Sequence, residues 1–122
     1  MTHDCVVAYL AGHFDGEGSI QMRRDQRCNY IQVHCKVTHT YLPVLEKYQS
    51  VFGGNIRLVN MEKKAANHPF VKCWKQQYHW ELSSYESCGN FLNEVLPFLG
   101  EKKPKAEEVL RFIADRKIRK AA

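Results

Sequence analysis

The sequence predicts an α+β domain, and three observations carry that expectation. Residues 30–38 alternate strictly: Tyr30, Gln32, His34, Lys36 and Thr38 face one way and Ile31, Val33, Cys35 and Val37 the other. That period of two marks a half-buried antiparallel strand. Apolar residues after Pro43 and after Ser84 recur instead at helical spacing. The signals then follow one another as helix, two strands, helix, two strands, helices, which is the α+β pattern.

Taken in order, Thr2 or Asp4 can cap a first helix that ends at Gly16 to Gly18, with Gly18 as its flexible stop. Ala8, Gly12 and Gly16 recur every four residues on one side of it, where a second backbone could approach closely. Ser19, Gln21, Arg23 and Asp25 alternate with Ile20 and Met22 in a first strand, and a polar turn near Arg24 to Cys28 leads into the second. Pro43 suits the opening turn of a second helix carrying Val44, Leu45, Tyr48, Val51 and Phe52, which Gly53 and Gly54 terminate. A third strand runs from Asn55 to about Asn60. Met61 to Pro69, with Lys63, Lys64, Asn67 and Pro69, reads as a flexible loop. In the fourth strand Trp74, Tyr78, Trp80 and Leu82 take the apolar side and Lys75, Gln77, His79 and Glu81 the polar one. Ser84 can cap a third helix in which Cys88, Phe91, Leu92, Val95 and Leu99 precede Gly100. Pro104 opens the last, with Ala106, Val109, Leu110 and Ile113 inward and a basic end, Arg116 to Lys120, that should fray.

A chain of 122 residues with 44% hydrophobic residues suffices for one domain with a single core. Its formal charge of +5 favours a polyanionic partner, because Lys and Arg that neutralise phosphates release condensed counterions. No apolar run is long enough to cross a bilayer, and the N-terminus lacks a basic region followed by a secretory apolar core. A soluble, intracellular protein without a membrane partner is expected, cytoplasmic in a prokaryote or phage, organellar or nuclear in a eukaryote. The five cysteines, at 5, 28, 35, 73 and 88, form no C-x-x-C pair, which argues for free thiols rather than a disulfide framework or structural zinc.

The chemistry concentrates where the first helix ends. Leu10 through Gly18 read L-A-G-H-F-D-G-E-G. A lone Asp-x-Glu would be an ordinary solvated helix end; nine aligned positions with three glycines in register are not. The segment resembles the LAGLIDADG motif of the homing endonucleases, with His13 standing where that family mostly has an apolar side chain. The element order agrees with the family's αββαββα core over almost the whole chain. The resemblance implies a four-stranded antiparallel, saddle-shaped sheet with helices on one face.

It also implies an activity: hydrolysis of both strands of a long DNA site, with the second acid of the motif holding a divalent metal, Mg²⁺ or another such as Mn²⁺. On this chain that acid is Glu17, with the Gly16 carbonyl as a second ligand, while Asp15 is structural and bonded to backbone near the helix end. Hydrolysis with two metals needs hard oxygen ligands close together, and one motif supplies one acid. The second must come from another copy, packed through Ala8, Gly12 and Gly16 about a two-fold axis, so a homodimer follows. The family places a polar residue just past the second strand to position the hydrolytic water; here that place holds His39. A histidine can bind or deprotonate water, and a histidine at a strand end can also be an ordinary surface residue. Pro97-Phe98-Leu99-Gly100-Glu101-Lys102 matches the family's helix end preceding a lysine that stabilises charge on the phosphate, which makes Lys102 the third catalytic candidate.

In the family, the polar sheet face lies along the major groove of double-stranded DNA. That points to Gln21, Arg23, Asp25, Tyr30, Gln32, His34, Lys36, Arg57, Lys75, Gln77, His79 and Glu81 as base or backbone contacts, or to an ordinary solvated sheet face. Asp25 and Glu81 would accept from cytosine or orient a neighbouring arginine. Lys63, Lys64, Arg116, Lys117, Arg119 and Lys120 would touch phosphates or solvent. The alternative to a site-specific endonuclease is a protein of the same fold that binds without cutting, either an RNA maturase acting on intron RNA or a DNA-binding module.

Overall fold

The period-two segments become strands of one sheet, and the apolar stripes become helices packed against one of its faces. The computed structural model describes residues 2–27, 30–67 and 75–121. Its elements run α1 (His3–Glu17), β1 (Gly18–Asp25), β2 (Tyr30–His39), α2 (Leu42–Phe52), β3 (Asn55–Leu58), α3 (Met61–Asn67) and β4 (Tyr78–Leu82). They continue with α4 (Tyr85–Val95), a 3₁₀ turn (Leu96–Phe98) and α5 (Lys103–Ala121). The sheet is four-stranded and antiparallel, in the order β1-β2-β4-β3. Gly18 lies opposite Val37, Asp25 opposite Tyr30, and Trp80 between Val37 and Ile56. Because side chains alternate along each strand, that register puts Val33, Cys35, Val37, Trp80 and Leu82 together in the core.

Trp80 is fully buried, stacked on Tyr48 at 4.7 Å and edge-on to Phe91 at 5.3 Å. Its indole N–H donates to the Gly53 carbonyl at 2.8 Å, a bond whose loss would leave a buried donor unmet at about 1–3 kcal/mol. The two glycines after α2 make that bond available. Both take positive φ, 75° and 95°, and a Cβ at Gly54 would stand 2.8 Å from the Glu81 carbonyl. Thr2 caps α1 by accepting the Cys5 N–H at 3.2 Å. Val7, Leu10, Ala11 and Phe14 form its buried stripe, and Phe14 meets Phe91 edge-on at 4.9 Å. Gly12 and Gly16 lie exposed away from that stripe, and a Cβ at either would meet nothing within 4 Å. Cys5, Cys35 and Cys88 are free thiols, the last two buried; Cys28 and Cys73 lie outside the described residues. Among the described residues, no helix is long and apolar enough to cross a membrane.

Several expectations are corrected. Met61–Asn67 is helix rather than loop: the Asn60 side chain accepts the Lys63 N–H at 3.0 Å, ahead of a run of good helix formers. The third strand therefore stops at Leu58, since Asn60 is taken up by that cap; Pro69 lies outside the described residues. The fourth strand begins only at Tyr78, so Lys75 and Gln77 sit in irregular chain before it, with the Gln77 carbonyl accepting the Val59 N–H at 3.0 Å. Trp74 lies outside the described residues. The third helix closes at Val95, because Pro97 lacks the N–H needed to continue it, and the 3₁₀ turn carries the chain to the buried Leu99. The last helix does not fray at Arg116 but runs to Ala121. The Arg116 guanidinium lies over the rings of Tyr85 at 4.9 Å and Tyr30 at 5.6 Å, which ties the helix end to the hairpin. Gly18 is no left-handed stop, since its φ of −89° suits any residue. It is glycine for space: a Cβ there would stand 2.2 Å from the Phe14 ring.

Candidate active site and nucleic-acid interface

The pairing of Gly18 with Val37 lays the end of α1 beside the end of β2. His13 and His39 meet there with ring centroids 5.5 Å apart, and the Glu17 carboxylate, one turn further along α1, acts on the His13 charge. Lys102 reaches the same corner through Asp15. The Asp15 carboxylate accepts the backbone N–H groups of Gly100 at 3.1 Å, Glu101 at 3.2 Å and Lys102 at 3.0 Å. In return the Lys102 ammonium donates to the Asp15 carbonyl at 2.8 Å. The Lys102 N–H first, and then those of Glu101 and Gly100, hold the Asp15 carboxyl below the usual carboxylate range, opposed by desolvation. Asp15 thus staples the end of α1 to the start of α5, and its oxygens are occupied in doing so.

Glu17 is exposed and makes no ion pair or side-chain hydrogen bond with any described residue. The Gly16 carbonyl lies in the last turn of α1, where carbonyls lack helical N–H partners and carry the negative end of the helix dipole. Hard oxygens of this kind suit Mg²⁺. Among the described residues, no three His, Cys, Asp or Glu side chains gather closely enough to hold a metal ion. Glu17 and the Gly16 carbonyl are oxygen donors of a kind that fits a divalent cation.

Both histidines at this corner are bonded through Nδ1. Burial, before the influence of Tyr9 and Glu17, pushes the Tyr48 phenol far above its ordinary range, so it keeps its hydrogen. The phenol oxygen stands 3.1 Å from the Leu10 carbonyl and 2.8 Å from His13 Nδ1, and it has one hydrogen to give. His39 Nδ1 accepts the Tyr41 N–H at 2.9 Å. Burial first, then the proximity of His39, lowers the His13 pKa below its ordinary value, with Glu17 opposing. The sequence marks His13 only as a departure from an apolar position and Tyr48 only as a core residue; the four-residue spacing of His13 and Glu17 was the one available signal that the two lie on one side of α1.

The other sheet face is polar from edge to edge. Register aligns Ser19, Lys36, Glu81 and Asn55 in a row across all four strands, and Thr38, His79 and Arg57 in the next. Gln21 faces His34 and Arg23 faces Gln32 in the hairpin. Glu81 grips Arg57 with both oxygens, Nε at 2.9 Å and Nη2 at 3.0 Å, fixing the guanidinium on the face. His79 Nδ1 bonds to the Thr38 hydroxyl at 2.7 Å. Burial, then Lys36 and Arg57, lowers the His79 pKa. His34 Nε2 stands 3.4 Å from the Gln32 side-chain oxygen. Asp25 accepts the Arg27 N–H at 2.9 Å and so shapes the hairpin turn. The Tyr30 ring stacks on Tyr85 at 5.6 Å beneath Arg116, and Lys64 donates to the Gln77 side chain. Lys75 is exposed beside the end of the sheet.

No family model matches the chain, whereas solved structures do. The homing endonuclease I-CvuI, in complex with its target and in the presence of Ca, aligns with a TM-score of 0.71 at 22% identity over 92% of this chain and 68% of that one. The archaeal intron-encoded homing endonuclease I-Vdi141I, complexed with DNA, gives 0.67 at 19% identity over 93% and 69%. The LAGLIDADG homing endonuclease I-SmaMI, bound to cleaved DNA, gives 0.68 at 12% identity over 93% of this chain and 37% of that one. The chain has the fold of the LAGLIDADG homing endonucleases.

Proposed function

We propose that two copies of this chain form a site-specific DNA endonuclease that hydrolyses phosphodiester bonds with the help of a divalent cation. The observation that carries the reading is the corner at the end of α1, where the Asp15 staple holds Lys102 to the last turn of the helix and the exposed Glu17 makes no ion pair or side-chain hydrogen bond with any described residue. Glu17 and the Gly16 carbonyl would hold Mg²⁺ or Mn²⁺, which when bound clamps the attacking and leaving oxygens of the phosphodiester. Two Glu17 carboxylates brought together across a dimer repel each other and so favour a cation between them. Lys102 spends one ammonium hydrogen on Asp15 and keeps two for a phosphate. His39, whose Nδ1 accepts from backbone, carries its proton on Nε2 when neutral and can hold a water by donating to its oxygen. The polar sheet face supplies base contacts, with Arg57 set by Glu81, while Lys63, Lys117 and Arg119 meet phosphates. The open side of α1 along Ala8, Gly12 and Gly16 serves as the face for the second copy, which implies a target with two-fold related half-sites.

Glu17→Gln tests the reading. An amide has the shape of the carboxylate without the charge that holds a cation. The variant should fold and bind the DNA flanking the site where its own gene is inserted, yet lose cleavage by at least about 10²-fold. Cutting by the variant at the wild-type rate removes Glu17 from the site, and a wild-type protein that binds but never cuts returns the chain to the non-cleaving alternatives, on DNA or on RNA.

A further inference from the structure

We infer that His13 is a catalytic residue of this site, taking the proton from the hydrolytic water through Nε2, with Tyr48 as the positioning residue that fixes its ring. The inference rests on the endonuclease reading above. Its basis is the bonding at the α1 corner rather than the motif, since the motif has no histidine in its usual form.

The single phenol hydrogen of Tyr48 has the Leu10 carbonyl at 3.1 Å and His13 Nδ1 at 2.8 Å within reach; given to the carbonyl, it leaves His13 Nδ1 to supply the hydrogen of the shorter contact. The neutral ring then has its lone pair on Nε2, as a general base requires. His39 is bonded the other way: its Nδ1 accepts the Tyr41 N–H, so its neutral ring offers an N–H at Nε2 and no lone pair there. The two rings, with centroids 5.5 Å apart, make a complementary pair. One can donate to the oxygen of a water and the other can accept its hydrogen.

The charged and titratable groups around His13 suit this role. Burial first and then His39 on β2 keep the ring neutral beforehand, Glu17 on α1 favours the imidazolium once formed, and Tyr48 on α2 stays protonated. In the reaction the water O–H bond breaks, its proton goes to His13 Nε2, and its oxygen bonds to phosphorus. The phosphorus–oxygen bond to the leaving sugar oxygen breaks, and that oxygen takes a proton from solvent.

Two measurements test the assignment. Long-range ¹H–¹⁵N correlations of the imidazoles in the metal-free, DNA-free protein read the tautomers directly. They should show His13 protonated on Nδ1 and His39 on Nε2 at mildly alkaline pH, and Tyr48→Phe should turn His13 into a mixture. In single-turnover cleavage, His13→Gln and His13→Phe should each lose about 10²-fold or more in rate at unchanged DNA affinity. The wild-type rate should show an acid limb, centred below the ordinary imidazole value of about 6.5, that both variants lack. A wild-type His13 protonated on Nε2 overturns the proposal. So does cleavage by both variants at the wild-type rate, and in that case the endonuclease reading survives. A folded wild-type protein that cuts no DNA overturns the endonuclease reading and this inference with it.

Discussion

Gly12, Gly16 and Gly18 belong to one motif, yet substitutions at them should have opposite consequences. Gly12 lies inside α1, and a Cβ there would find nothing within 4 Å, so no part of its own fold opposes a side chain. Alanine there should add up to about 1 kcal/mol of helix stability to the isolated subunit. Leucine, also a good helix former, should leave the subunit folded but wedge apart two copies packed on that face. At Gly18 the added carbon would stand 2.2 Å from Cδ2 and 2.4 Å from Cε2 of Phe14. That ring is fully buried and edge-on to Phe91 at 4.9 Å, so it has little room to retreat. Overpacking of this kind costs about 1–3 kcal/mol. At roughly 4 °C per kcal/mol for a domain of this size, Gly18→Ala should lower the melting midpoint by about 4–12 °C. Sedimentation equilibrium and thermal melts across a dilution series separate the effects, because a dimer has a concentration-dependent midpoint and a monomer does not. The expected pattern is a dimeric wild type, a folded monomer for Gly12→Leu and a destabilised Gly18→Ala. A Gly12→Leu protein that dimerises as tightly as the wild type refutes the shared face, and a Gly18→Ala protein that melts with the wild type refutes the steric account of that glycine.

Two further outcomes follow from the charges. His13 and His79 both have pKa values lowered in the fold, by burial first, so the unfolded chain binds more protons below about pH 6.5. The stability these neutral rings contribute is complete above that pH and is lost as pH falls through their folded values; urea midpoints should decline over that window, less so in His79→Gln, and an identical decline in the variant would discount His79. Glu81→Gln should free the Arg57 guanidinium from its two-oxygen grip and relax preference at the base pair Arg57 reads by about 1–3 kcal/mol. A cleavage or binding profile unchanged at every position would remove Arg57 from the readout.

Local patterning alone determined much of this chain. The stripe Val7, Leu10, Ala11 and Phe14, the alternation of β2, the Pro43 start and Gly53 stop of α2 and the Ser84 cap of α4 are each set by residues within a few positions of one another. Periodicity and capping record that kind of information. The α1 segment and its acid exit were legible for the same reason. What the sequence could not supply was who meets whom. Asp15 binds the N–H groups of residues 100–102, His13 binds Tyr48 from 35 positions away, and Arg57 finds Glu81 from 24. Such pairings follow from the sheet order β1-β2-β4-β3 and from helix packing, neither of which leaves a local period to read. The helix at Met61–Asn67 was missed because its composition suits loop and helix alike until the Asn60 cap decides between them. The two histidines divide the same way: the His39 ring is fixed locally, by the Tyr41 N–H two residues on, whereas the His13 ring meets a phenol oxygen that only the packing of α2 against α1 brings to it.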